Sequence, residues 1–419
     1  MHFIFGGIIM RFIVIAAFLL IIASPALAEK FLSMEEAERL CIERNLAIKA
    51  KKAEIAKTDA EIISAKIIQN PSLRYSVDSL KNGEKESEVT YSVSQNIDIT
   101  GKRSIRIDAA KKSKEASLYF FEYEVAAVIL HLKQTHYKIL FLKENERLLT
   151  ALLAMFEEVK SKTEERFKAG DVSEADLMKI SSEQKSIGRN LEALRIELRT
   201  EKKKLGLFLN LGMNDLEPIG EFVYKPLMHD MNIAPESVLS LRYDVRGQSM
   251  LVEAATASLS FARRNSFPSF DIEAGYKKRT GGFEGFVFGV TIPLPIFDRN
   301  QGDIERAKRA IEQEIAALEL VKKNAIYEVA ILQEKIVSLS KIISDASQQL
   351  DTTLQLTKIA RIAYEEGETG ILELLDAVRS EKALTMEYNS TLYDYWTAVF
   401  ELEKAAGKRL FDFNRGGAK

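Results

Sequence analysis

The sequence predicts a mainly α protein with a small β part: a duplicated, very long antiparallel coiled-coil hairpin, with two short strands in each copy. Three observations predict it. The chain repeats itself at an offset of about 197 residues. Apolar residues recur at a four-then-three spacing over stretches longer than a compact domain needs. Between the helical patterns lie short segments in which apolar and polar residues alternate, the period of a strand.

The chain of 419 residues carries 59 basic and 61 acidic side chains, interleaved, for a net charge of −2. That balance describes solvated helix faces and argues against a general nucleic-acid binder, which would carry a basic stripe. The N-terminus differs from the rest. Arg11 precedes the apolar run FIVIAAFLLIIA at 12–23, and Ser24-Pro25-Ala26-Leu27-Ala28 comes after it. A basic start, a short apolar run and a small-x-small site describe an export signal over residues 1–28, with Met10 as its working start and cleavage after Ala28. A run of about a dozen residues is short for a membrane anchor. No later segment approaches the length of a transmembrane helix. Cys41 is the single cysteine, which excludes an intrachain disulfide, and its place in an amphipathic pattern makes it a small apolar residue. An exported chain of this kind is periplasmic, secreted or an outer-membrane barrel protein.

The duplication organises the rest of the chain. Asn70-Pro71-Ser72-Leu73 falls on Phe267-Pro268-Ser269-Phe270, and Val93 on Val290. Phe167-Lys168-Ala169-Gly170-Asp171 falls on Tyr364-Glu365-Glu366-Gly367-Glu368. The expected divisions are a first repeat at 29–210, a linker at 211–234, a second repeat at 235–408 and a C-terminal tail at 409–419. Each repeat opens with a helix of moderate length, at about 34–69 and 235–266.

Two strand patterns come next in each repeat. Leu73, Tyr75 and Val77 alternate with Arg74, Ser76 and Asp78; Val89, Tyr91 and Val93 alternate with Thr90, Ser92 and Ser94. In the second repeat Phe270, Ile272 and Tyr276 form one apolar series, and Phe286, Phe288, Val290 and Ile292 the other. The alternation fits membrane-barrel strands with lipid outside and water inside, and equally a sheet resting on a soluble core. The export signal, and the lack of another domain to cover the sheet, favour the barrel. Four strands are too few for a single-chain barrel, which takes at least about eight, and open edges cannot sit in lipid. A barrel therefore requires several copies. Two give the smallest barrel; three give twelve strands and room for a water-filled bore.

The long helical patterns then run out and back. In the first repeat Phe121, Val125, Val128, Leu132, Ile139, Leu142, Leu149, Leu153 and Phe156 keep the seam, with Thr135 and Glu146 interrupting it. In the second, Ala325, Val329, Leu332, Ile336, Leu339, Ile343, Ala346 and Leu350 do the same. On the return, Ile187, Leu191 and Leu205 match Leu384, Tyr388 and Leu402. A helix of about 60 residues is roughly 90 Å long.

Each hairpin reverses at a glycine, Gly170 or Gly367, succeeded by an acid, Asp171 or Glu368. Glycine admits the left-handed backbone that ends a helix. Ser173 and Asp176 then have capping-box spacing, and Gly370 and Glu373 hold the equivalent positions. A carboxylate at a helix N-terminus accounts for Glu373. It does not account for Asp376, three residues on and on the same face, whose equivalent is Lys179. No catalytic constellation accompanies these tips. His131 and His136 are five apart, not the i, i+4 pair of a metal helix, and no Gly-rich phosphate loop comes after a strand. The chain is expected to be no enzyme and to hold no cofactor and no resident metal.

The strand starts NPSL and FPSF, the tip RFKAGDVSEADL at 166–177, NIDITGKRSIRIDAA at 96–110 and TIPLPIFDRNQGDIERA at 291–307 carry a resemblance. In their order and spacing the chain resembles the TolC-type outer-membrane efflux proteins over essentially its mature length, and is most similar to their heavy-metal, Czc- and Cus-type branch. The resemblance implies a homotrimer, a twelve-stranded transmembrane β-barrel and an α-barrel tunnel projecting through the periplasm. It implies a passive exit duct of a tripartite pump, with a periplasmic adaptor (membrane fusion) protein and an inner-membrane pump of the resistance-nodulation-division type as partners. Outer-membrane lipid surrounds such a barrel, and no nucleic acid is involved. Acids matching Glu373 and Asp376 line the constricted periplasmic entrance in the family, which makes this pair the expected channel gate. Some members of the metal branch carry a lipid on an N-terminal cysteine; this chain lacks that cysteine, so no lipid anchor is expected. Heavy-metal cations are the expected cargo. Organic efflux, a type I secretion duct and a soluble periplasmic scaffold or adaptor are the alternatives, although adaptors carry β-barrel and lipoyl-like domains beside their hairpins.

Overall fold

The computed structural model describes residues 30–82, 84–211, 216–227 and 233–410. The export signal, parts of the linker and residues 411–419 of the tail lie outside them. In chain order the elements are β1 (Lys30–Leu32), α1 (Met34–Arg44), α2 (Leu46–Lys66), β2 (Ser72–Asn82), β3 (Glu84–Ile97), α3 (Lys102–Ala169), α4 (Glu174–Phe208) and β4 (Leu216–Pro218). A 3-10 turn (Pro235–Ser240) leads into α5 (Tyr243–Asn265), β5 (Phe270–Arg279), β6 (Glu284–Thr291), α6 (Gln301–Glu365) and α7 (Ile371–Ala406).

The opening helix of each repeat is broken, where the periodicity predicts one unbroken element. Asn45 adopts ψ 127° and caps the second piece: its Oδ1 accepts from Ala47 N at 2.9 Å and Ile48 N at 3.1 Å, while Nδ2 donates to Phe208 O at 2.9 Å. Arg242 holds the corresponding place in the second repeat, also extended, and its buried guanidinium pairs with Asp244 and Glu328. α2 stops at Lys66, short of the expected 69. Pro71 biases the residue before it towards extended backbone. Arg103 and Arg106 of α3 donate to the carbonyls of Lys66, Ala65 and Ile67 that the ending helix leaves free.

α3 and α6 have 68 and 65 residues, each about 100 Å at 1.5 Å per residue. α4 and α7 return antiparallel along them. Leu132, Ile139, Leu142, Leu149 and Phe156 are buried against Ile180, Ile187, Leu191 and Leu205 in the first hairpin. Val329, Leu332, Ile336 and Ile343 are buried with Leu392, Val399 and Leu402 in the second. Leu152 occupies the buried position and Leu153 is only partly covered, the reverse of the expected seam. At both interruptions of the pattern a polar neighbour turns inward. His136 Nε2 meets Ile219 O at 3.3 Å, and Asn145 Oδ1 accepts from Asn389 Nδ2 at 2.8 Å. α3 is buried here on two sides, by its hairpin partner and by the linker with α7, so a single stripe cannot describe it.

That waist is where the repeats join. β1 and β4 pair in parallel, Lys30 opposite Leu216. Trp396 is buried, its Nε1 donating to Val223 O at 3.1 Å. Lys133 is enclosed between Glu403 at 2.7 Å and Glu38 at 3.3 Å, with Arg409 also on Glu38.

At the far end the four long strands form one antiparallel sheet in the order β2-β3-β5-β6. The register places Tyr75, Tyr91, Tyr276 and Phe286 in one row and Leu73, Val93, Ala274 and Phe288 in the next. All share one face because side chains alternate. The opposite face carries Ser92 bonded to Glu273, Asn96 bonded to Asp271, and Glu88 paired with Lys277. A Cβ at Gly275 would stand 2.6 Å from Tyr91 O, so only glycine allows β5 this close to β3. Nothing among the described residues covers the apolar face: Phe286 and Phe288 are each 80% exposed. β2 and β6 are both edges. Among the described residues no helix is long and apolar enough to cross a membrane.

Candidate gate at the hairpin tips

The two tips share one backbone design. Gly170 has φ +86° and Gly367 φ +80°. In the first tip Asp171 N donates to Arg166 O at 2.9 Å and Gly170 N to Phe167 O at 3.0 Å; in the second Glu368 N donates to Ala363 O at 2.8 Å and Gly367 N to Tyr364 O at 3.1 Å. These are Schellman closures at equivalent positions.

The side chains then diverge. Ser173 caps α4, its Oγ accepting from Asp176 N at 3.2 Å and donating to Asp176 Oδ2 at 2.8 Å. Lys179 reaches Asp176 Oδ1 at 3.1 Å. The Ser173 hydroxyl, and after it Lys179, hold the Asp176 carboxyl below its usual range despite some desolvation. Asp176 is thus committed within its own turn.

In the second tip Gly370 replaces the capping serine and makes no side-chain cap bond. Glu373 folds back over it, so that a Cβ at Gly370 would lie 3.1 Å from Glu373 Oε2. Its carboxylate therefore stands at the start of α7, where the helix N-terminus favours it. Ile371, Leu374, Leu375 and Val378 are buried, which turns Glu373 and Asp376 outward into solvent. Neither has an ion-pair partner among the described residues of the chain. The single chain brings this acidic pair to one face of the second tip, whereas the equivalent residues of the first tip, Asp176 and Lys179, pair with each other.

A second feature lies just behind the turns and was missed in the sequence. Tyr364 is 3% exposed, with its hydroxyl 2.8 Å from Thr163 Oγ1. Thr163 uses its own proton on Val159 O at 2.8 Å, so Tyr364 is the donor. Arg166 donates to Tyr364 O at 2.8 Å and approaches Gly367 so closely that a Cβ there would be 3.1 Å from its Nη2. Around this bond Lys162 meets Glu365 at 2.9 Å and Arg361 meets Glu158 at 2.5 Å and Glu365 at 2.8 Å. The carboxyls of Glu158 and Glu365 are held low, chiefly by hydrogen bonds from Lys162 and Arg361 respectively. On the return side Arg379 pairs with Glu183 at 2.7 Å. The two hairpins are clasped together at the tip. The available signal was Tyr364 standing where the first repeat has Phe167: a hydroxyl added at an apolar position.

Among the described residues no group of three or more His, Cys, Asp or Glu side chains could hold a metal ion. His131 is exposed at the helix surface, and His136 is in the waist, far along α3 from the tip.

The chain matches the family model of the outer membrane efflux protein in two segments, residues 39–209 and 234–408. It belongs to the outer membrane efflux protein family. Membership makes it an outer-membrane efflux channel protein. A cobalt-zinc-cadmium resistance protein, CzcC of Cupriavidus metallidurans, is 26% identical over 90% of this chain and 90% of its own length. The cation efflux system protein CusC of Escherichia coli is 31% identical over 35% of this chain and 34% of its own. Among solved structures, the Campylobacter jejuni CmeC outer membrane channel superposes with a TM-score of 0.78 over 91% of this chain and 88% of that one, at 18% identity. The last is a likeness of fold.

Proposed function

We propose that three copies of this chain form the outer-membrane exit duct of a tripartite efflux pump, a passive channel for heavy-metal cations. The observation that carries the duct is the sheet: four strands, apolar on one face and polar on the other, its apolar face uncovered among the described residues and its edges open at β2 and β6. Unpaired strand edges are not tolerated in lipid. Three copies joined edge to edge would close a barrel of twelve strands, apolar outside and polar within, and the hairpins would continue it as an α-barrel into the periplasm. The export signal at 1–28 and the repeats at 29–210 and 235–408 belong to the same reading, as do a periplasmic adaptor and an inner-membrane pump of the resistance-nodulation-division type.

Glu373 and Asp376 are the proposed gate. In a trimer the unpaired acids of the second tip would recur three times around one axis. Rings of carboxylates attract cations and restrict anions. Resemblance to CzcC and CusC supports metal cations as cargo. The test is growth of a strain lacking the protein on graded copper, silver, zinc, cobalt and cadmium, beside dyes, detergents and antibiotics. Sensitivity confined to metals and reversed by complementation is expected. Sensitivity to organic compounds alone would contradict the cargo while leaving the duct.

A further inference from the structure

We infer that the segment after β6, Ile292-Pro293-Leu294-Pro295-Ile296-Phe297, is a lipid-embedded collar that completes the hydrophobic belt of the barrel in the phospholipid leaflet facing the periplasm. The inference rests on the proposed barrel and concerns where its lower boundary falls.

β6 alone is too short. On β6 the outward apolar positions within the strand are Phe286, Phe288 and Val290. Four residues of rise give about 14 Å along the strand and about 10 Å along a barrel axis at the usual tilt, against a band of about 25 Å on outer-membrane barrels. The same parity continues beyond the last ladder pair, through Ile292, Leu294 and Ile296, which are 56%, 74% and 59% exposed. From Phe286 to Leu294, before the turn at Pro295, the apolar series runs to about 26 Å, or about 20 Å of height. β3 supports the same continuation. Its outward parity runs from Tyr91, level with Phe286, through the polar Gln95 and past the strand end at Ile97 to Ile99, which the register sets level with Leu294, and Ile99 is 72% exposed. The β3 series thus stops one outward position above Ile296. Asp298 and Arg299 come after one, and Thr100, Lys102 and Arg103 after the other. Exposed Arg299 and Arg103, with Arg263 at the end of α5, stand where anionic headgroups would lie.

The prolines fit this placement. A segment outside the ladder should be costly in lipid because its N–H groups lack partners. Pro293 and Pro295 have none, and Ile296 N donates to Leu294 O at 2.9 Å. They also explain why β6 ends at Thr291, since proline cannot continue a ladder. Lipid is favoured over a neighbouring copy as the occupant because the segment continues the apolar face in phase, not the hydrogen-bonding edge.

The experiment uses the full-length protein in vesicles of phosphatidylethanolamine and phosphatidylglycerol, with and without bromine on the acyl chains. Tryptophan is introduced singly as Leu294→Trp, Ile296→Trp and, as a control within the sheet, Phe288→Trp. Trp396 is 1% exposed in the helical waist and supplies a constant background. Bromolipid quenching at Leu294→Trp and Ile296→Trp within a factor of about two of that at Phe288→Trp is expected of a collar inside the apolar band. Quenching of Phe288→Trp alone overturns the collar and keeps the barrel; aqueous acrylamide then separates a segment lying in water from one covered by a neighbouring copy. Absence of quenching at all three positions overturns the barrel reading and the collar with it.

Discussion

Tyr364→Phe removes one oxygen from the clasp behind the tips. The lost bond is the 2.8 Å contact to Thr163 Oγ1, in a site where Thr163 is fully buried. Arg166 keeps its bond to the Tyr364 carbonyl, so the substitution isolates the hydroxyl. A neutral buried hydrogen bond contributes about 1 kcal/mol net. Per chain this speeds local opening about fivefold, read as amide exchange at 159–170 and 357–370. If three clasps release together, about 3 kcal/mol shifts the closed-to-open ratio by about two orders of magnitude. Single-channel open probability in planar bilayers measures the second quantity. Thr163→Val removes the same acceptor, so the double variant should be little worse than either single one, a coupling of about 1 kcal/mol. Additive effects, or a Tyr364→Phe protein with unchanged exchange and open probability, would refute the clasp.

Lys133→Met leaves Glu38 and Glu403 buried without their shared cation and should cost about 3–5 kcal/mol in the waist, seen as a lower melting temperature; adding Glu403→Gln should recover part of it. Gly367→Ala should cost about 1–2 kcal/mol through its positive φ and the approach of Arg166, whereas Gly370→Ala, at φ −81°, meets only the movable Glu373 carboxylate and should cost less in the same melting assay. Burial holds the His136 imidazole down at about 4 from 6.5, with Lys143 adding to the effect and the Ile219 carbonyl opposing it. The unfolded chain therefore takes up the proton first as pH falls. The associated stability is complete above about pH 6.5 and is lost towards pH 4, about 3 kcal/mol in all. Melting curves at pH 7 and 4.5 should converge in His136→Leu and separate in the parent.

The sequence made the large architecture readable because periodic features average over many residues. Val329 and Leu132 fall in phase through the offset alone, and Phe286, Phe288 and Val290 announce their common face through parity. What escaped it depends on which surfaces meet. Asn45 breaks a helix because its Nδ2 finds Phe208 O across the fold, 163 positions away. His136 and Asn145 are buried because α3 has neighbours on two sides. β1 and β4, three residues each, are too short to carry a period. At the tips the glycines, Ser173 and Asp176 were legible through capping chemistry. The outward pairless state of Glu373 and Asp376 depends on Ile371 and Leu375 facing inward. The Tyr364–Thr163 bond joins residues 201 apart and needs the register of both hairpins.

The most direct test of the proposed duct is single-channel recording from the purified full-length protein in planar bilayers, beside its Glu373→Ala/Asp376→Ala variant. The account predicts a cation-preferring pore whose conductance rises, and whose block by multivalent cations weakens, when both acids are removed. Pores with the same conductance and the same block in parent and variant would contradict the gate at the second tip, and a parent that forms no pore would contradict the duct itself.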